Sequence, residues 1–183
     1  MTPPVQEWPR DYDALRAELE GSSDRAAITV GASMVELALS DCLKAVLRKA
    51  TSATETARLF GPGGIAETFA QKISACYFLN IVSLKLRTEL DTIRKIRNVA
   101  AHHLDPVSFD DQRVSDLCKH LVSFTSGLKD PTNKKKFVTL VTMITGLLIA
   151  HSVLLEHPAE GVAVPDNPLK RFRLGAADDD KNA

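Results

Sequence analysis

A chain of 183 residues is long enough for one well-buried domain and a tail, and leaves little room for a second independent core. Its 23 basic and 23 acidic side chains cancel, which excludes a long-range field drawing the whole chain to nucleic acid, so any contact with RNA or DNA has to come from a local patch. The three cysteines, Cys42, Cys76 and Cys118, form no C-x-x-C pair, which argues against a disulfide scaffold or a zinc site and for a reducing, cytoplasmic setting.

The opening stretch from Met1 to Arg10 lacks the apolar core of a signal peptide. Helical spacing then runs through the chain with no convincing strand. Asp11 to Glu20 reads as a short amphipathic helix stopped by Gly21. Ser22 or Ser23 caps a long second helix, favoured by Asp24 in its first turn and running to about Ala50. Its residues are apolar on most faces, which places it near the centre of a bundle. Thr51 to Phe60 is a weaker helix, and Gly61-Pro62-Gly63-Gly64 is the strongest turn signal in the chain. That run lacks the Lys-Ser/Thr ending and the preceding strand of a phosphate loop.

Ile65 to Leu79 resumes helical spacing, Asn80 to Ser83 is a tight connection, and Leu84 to His103 forms a helix ended by Pro106. A further helix from about Asp110 to Val122 precedes the Lys129 to Asn133 turn. The last helix spans about Lys134 to Leu155. From Phe137 to Leu155 it has no Asp, Glu, Lys or Arg, a length that crosses a bilayer, but Thr139, Thr142, Thr145, His151 and Ser152 and the apolar periodicity fit a buried central helix of a soluble bundle better. Residues 158–183 turn to Gly, Pro and charge and read as a disordered or loosely docked tail. The expected architecture is an all-α bundle of about six to seven helices, with an N-terminal segment 1–21, a bundle domain 22–157 and the tail.

The helix containing Arg97 carries the one pattern that asks for a chemical explanation. Leu86, Leu90, Ile93, Ala100 and Leu104 form an apolar stripe, and Arg97 takes the missing step in it. A guanidinium there needs a partner or a task, because desolvating an unpaired charge costs several kcal/mol, on the order of what a whole ion pair returns. Arg94, Asn98 and His102 step by four residues as a polar line beside it. Arg97 and His102 are separated by about 140° around the helix and ~7.5 Å along it, within an arginine's reach.

Two readings of these residues stand side by side. In the structural one, Arg97 pairs with a carboxylate of the second helix, with Glu36 in that helix's apolar middle the best candidate and Arg94 a neighbour at the same helix interface. In the catalytic one, His102 moves a proton, Arg97 stabilises a developing phosphorane and Asn98 positions a hydroxyl, which are the ingredients for cutting RNA through its own 2′-hydroxyl without a metal. Two basic runs are candidate nucleic-acid contacts: Lys134, Lys135 and Lys136 at a helix start, and Lys170, Arg171 and Arg173 around Phe172 in the tail. No helix-turn-helix with an exposed polar recognition helix is visible. No metal site and no small-molecule cofactor are expected.

The stretches Ser23-Asp-Arg-Ala-Ala-Ile-Thr-Val-Gly-Ala32, Phe69-Ala-Gln-Lys-Ile-Ser-Ala-Cys-Tyr-Phe-Leu79 and Ile93-Arg-Lys-Ile-Arg-Asn-Val-Ala-Ala-His102, with the Cys118 helix, resemble the mannitol operon repressor (MltR) family in content, order and spacing, over about Ser22 to Leu155. The Arg97, Asn98, His102 pattern also resembles the motif of the HEPN superfamily, all-helical domains that include metal-independent ribonucleases and toxins as well as members without nuclease activity. The first resemblance implies a bacterial cytoplasmic repressor of a sugar-alcohol operon. The second implies a homodimer with Arg97 and His102 near its interface. The expectation is therefore a homodimeric regulatory protein acting through protein contacts or a nucleic acid held by its dimer surface, without a membrane span. The alternative is a ribonuclease using Arg97, Asn98 and His102, and a third reading is a purely structural binding module.

Overall fold

The computed structural model describes residues 12–47, 52–102, 105–125 and 127–155, and these form seven helices and no strand. They are α1 (Tyr12–Gly21), α2 (Asp24–Val46), α3 (Ala53–Phe60), α4 (Phe69–Phe78), α5 (Leu84–His102), α6 (Gln112–Cys118) and α7 (Asn133–Leu155). The all-α bundle read from the sequence is the architecture observed.

Capping side chains set several of the starts. Ser23 is extended and its Oγ accepts the Ala26 amide, Ser52 accepts that of Glu55, and Thr68 and Gln71 form a reciprocal capping box at α4. Helix α4 thus begins at Phe69, four residues later than the periodicity from Ile65 implies. Residues 61–67 form turns instead, with Gly63 at φ 76° and its N–H donated to Glu67 Oε2 at 2.8 Å. Helix α6 also ends sooner than expected. Beyond Cys118 the chain turns, and the amides of Val122 and Ser123 donate to Glu89 Oε1 at 3.1 and 2.7 Å rather than to a continuing helix.

Helices α2 and α7 lie side by side at the centre and run in the same direction. Lys134 bonds Ser22 and Asp24 at one end, Phe137 and Val141 meet Gly31 in the middle, and the Cys42 thiol donates to the Leu148 carbonyl at 3.1 Å further on. The chain returns along its starting direction because α3 to α6 supply the long connection that parallel neighbours need. Gly31 makes the pair close: a Cβ there would lie 2.9 Å from Val141 Cγ2. Around this pair α1 packs along α7, with Leu19 buried and the Tyr12 ring over Gly146, so the helix preceding Ser22 shares the core of the bundle. Helices α4 and α5 cover another side of α2, and α6 closes over α5 and the start of α7, where Phe109 and Phe137 rings lie 5.4 Å apart.

Full burial of side chains such as Ile28, Leu39, Leu43, Ile93, Phe137 and Ile144 stabilises the fold by about 1.5–3 kcal/mol each. Ion pairs between helices are worth less, so apolar burial brings the helices together and charges select their register. Both α2 and α7 are long and apolar enough to cross a membrane, and about half of each apolar window (56% and 50%) is buried against the rest of the bundle.

Candidate functional site

The packing of α5 against α2 and α4 decides what becomes of Arg97. Ser83 Oγ accepts the Leu86 amide at the start of α5, and the helix buries Leu90, Ile93, Ile96 and Ala100 in the core. Ile96, and not Arg97, fills the step between Ile93 and Ala100. The expected placement of Arg97 inside the apolar stripe is thereby corrected: its side chain sits at the border of the stripe and is 32% exposed.

From that border Arg97 Nη1 donates to Glu36 Oε2 at 2.9 Å, joining α5 to α2. The other carboxylate oxygen, Oε1, accepts from Lys72 Nζ of α4 at 2.8 Å. One carboxylate therefore bridges two cations from two helices, leaving a net charge of +1 on the trio (two cations, one anion) in a setting where Glu36 is 18% and Lys72 12% exposed. The guanidinium carbon lies 5.6 Å from the centroid of the Phe69 ring, close enough for a cation–π contribution of about 0.5–2 kcal/mol. The Arg97–Glu36 pair was the structural reading of the sequence. Lys72 and Phe69 were not singled out as members of it.

The remaining members of the motif do not converge on this pair. Arg94 Nε bonds Asp91 Oδ1 at 3.2 Å within its own helix instead of reaching across the interface. Asn98 is half-buried and makes no side-chain hydrogen bond among the described residues. His102 is the last residue of α5 and exposed, a position where the helix dipole favours a cation. No hydrogen bond links His102 to Arg97 or Asn98 among the described residues.

Of the basic residues expected to meet nucleic acid, Lys134 is engaged within the chain: its ammonium donates to the Ser22 carbonyl and pairs with Asp24 Oδ1 at 3.3 Å, tying α7 to the start of α2. Lys135 is exposed and Lys136 half-buried. Lys170, Arg171 and Arg173 lie outside the described residues. The three thiols belong to the core. Burial pushes each of Cys42, Cys76 and Cys118 up to about 12, which leaves almost no thiolate at neutral pH for nucleophilic or redox chemistry.

The chain also carries a buried carboxylate that the sequence pattern hides. Glu89 is 2% exposed; its Oε1 holds the turn after α6, and its Oε2 is buried without a hydrogen bond among the described residues. Spacing places Glu89 beside Leu90 on α5, and nothing in the linear sequence marks which acidic residue turns inward.

No family model, curated protein or solved structure matches the chain.

Proposed function

We propose that this chain is a cytoplasmic regulatory protein of the mannitol operon repressor type, a homodimer that works by binding protein rather than by cutting RNA or reading DNA. The observation that carries this reading is the commitment of Arg97: its charge is already engaged by Glu36 and its plane by Phe69, so it holds three helices in register within one chain. To stabilise a phosphorane the same guanidinium has to be shared with Glu36, whose carboxylate already offsets its charge and is also held by Lys72. Exposed apolar side chains elsewhere on the same three helices and their connection, Val30 and Leu37 of α2 and Phe78, Leu79 and Leu84 at the α4–α5 corner, suit contact with a protein better than contact with a polyanion.

The ribonuclease reading keeps one observation in its favour: a third of the Arg97 side chain is exposed and His102 is exposed on the same helix. A reporter driven by a sugar-alcohol uptake promoter separates the two. Repression is expected from the wild type and from His102→Ala, and loss of repression from Phe78→Asp, which is 75% exposed and so leaves the core untouched. Purified protein with RNA in EDTA is expected to leave the RNA intact. Cleavage that His102→Ala abolishes, or repression that depends on His102, overturns the regulatory reading in favour of the nuclease.

A further inference from the structure

Few contacts fasten the turn that follows α6. Of residues 119–125 Leu121 alone is buried, while Lys119, His120, Val122 and Phe124 are exposed. Thr125 Oγ1 donates to the Leu121 and Val122 carbonyls at 3.4 and 3.0 Å, so the segment braces its own shape. Among the described residues its only hydrogen bonds to a helix other than α6 are those of the Val122 and Ser123 amides, both accepted by Glu89 Oε1 of α5 at 3.1 and 2.7 Å. One buried leucine and one carboxylate oxygen therefore hold it down, and a segment with so few anchors belongs to the low end of local stability.

Two costs are locked in by that hold. Phe124 sits in the left-handed region at φ 61°, where the Cβ of a bulky residue crowds the following carbonyl and glycine or asparagine is the ordinary occupant. Glu89 supplies the second: its carboxylate is shut away from water, yet Oε2 accepts no hydrogen bond. Lifting the segment off Oε1 lets water reach the carboxylate and lets the Phe124 backbone relax, so the movement that breaks two hydrogen bonds also relieves both costs. Those two bonds keep the balance on the closed side, because amides donated to a carboxylate are about twice as strong as neutral hydrogen bonds.

We infer that residues 119–125 form a strap, latched by Glu89 against its own strain, which opens as a unit while the helices stay folded. The open form presents Leu121 and a hydrated carboxylate beside Val122 and Phe124, a surface absent from the closed form, so a partner selective for it shifts the equilibrium. The latch works in the same way whether or not the chain represses an operon.

Native-state hydrogen exchange of the full chain, read amide by amide and corrected for intrinsic rates, tests this. The Val122 and Ser123 amides are expected to exchange on the order of 100-fold faster than those of Ile93 and Ile144, with little dependence on low urea, whereas the core amides respond steeply because they open only globally. Phe124→Asn, which suits the left-handed backbone, is expected to slow exchange at Val122 and Ser123 roughly threefold or more. Glu89→Leu leaves both amides without an acceptor and is expected to speed their exchange by at least about tenfold, while changing Ile93 and Ile144 far less. Val122 and Ser123 amides that exchange at the core rate, with the urea dependence of the core, overturn the strap outright. Exchange that Phe124→Asn leaves unchanged or quickens overturns the stored strain, and equal acceleration of strap and core amides by Glu89→Leu overturns the latch. If Glu89→Leu does not fold, the wild type and Phe124→Asn decide between a strap and a segment that opens only with the core.

Discussion

Glu36 serves two cations with one carboxylate, so the three members of that network are not equivalent. Removing Arg97 leaves Lys72 with its own oxygen and its 2.8 Å bond, whereas removing Glu36 leaves two partly buried cations side by side. Glu36→Ala is therefore expected to cost about 2–3 kcal/mol, below the full penalty for an orphaned buried charge because Arg97 is a third exposed. Arg97→Ala is expected to cost about 1 kcal/mol, mostly for its packing on Phe69 and one charged hydrogen bond. Urea midpoints at neutral pH rank the two, and the reverse order means that Arg97 is not primarily a structural tie. The Arg97–Glu36 pair was legible in sequence because Glu36 is the one charge in the apolar middle of α2 and Arg97 falls at or beside the apolar stripe of α5. The phase of the α5 stripe was not: Ile93, Ile96, Ala100 steps by three and four, Ile93, Arg97, Ala100 by four and three, and a 3.6-residue period accepts both. Apolar burial decides for Ile96. Lys72 escaped notice because it follows Gln71 and is two residues before Ser74 and so interrupts no apolar run of α4, leaving nothing in the sequence to ask for a partner.

At the scale of helices, the contact between α2 and α7 depends on a position that propensity marks as weak. Gly31 lies inside a 23-residue helix, where alanine is intrinsically better by up to about 1 kcal/mol. Here a methyl group would meet Val141 Cγ2 at 2.9 Å and Phe137 Cε1 at 3.2 Å, and both side chains are fully buried in the core. Overpacking of this kind costs about 1–3 kcal/mol, so Gly31→Ala is expected to be net destabilising despite its propensity gain. Pairing it with Val141→Ala provides the check: the double variant should be more stable than the sum of the two single losses, by a coupling of at least about 0.5 kcal/mol in a denaturation cycle. Additive losses would place the strain elsewhere. The existence and order of the helices were readable from apolar spacing and caps, but the parallel course of α2 and α7 was not, since a pattern within each helix carries no direction relative to the other. The early stop of α6 was hidden for a related reason. The acceptor that captures the Val122 and Ser123 amides, Glu89, belongs to a helix more than 30 residues earlier in the chain.

Closure of the whole molecule converges on Asp24. Its Oδ2 accepts the Phe109 amide at 3.0 Å and the Ser108 hydroxyl at 3.2 Å, and its Oδ1 faces Lys134 Nζ at 3.3 Å, so one carboxylate joins the start of α2, the approach to α6 and the first turn of α7. Partial burial pushes this carboxyl up, but the Phe109 amide, the Lys134 ammonium and the Ser108 hydroxyl together outweigh it and hold Asp24 below its ordinary value of 3.8. The folded state thus binds this proton less readily than the unfolded chain does. The resulting stabilisation is complete above the unfolded value of about 3.8 and is lost as the pH falls from there through the lower folded value. Asp24→Asn keeps the shape, removes the charge that faces Lys134 and turns one of the two acceptor oxygens into a donor; at pH 7 it is expected to lower stability by about 1–2 kcal/mol. That deficit should stay constant from pH 7 down to about pH 5 and narrow progressively below 3.8, where the wild-type carboxyl becomes neutral as well. Urea denaturation of both proteins between pH 7 and pH 3 measures the difference. A deficit independent of pH down to its lower limit would mean that Asp24 acts through shape and neutral hydrogen bonds, and that the charge on Lys134 has no part in fastening the last helix to the first turn of the central one.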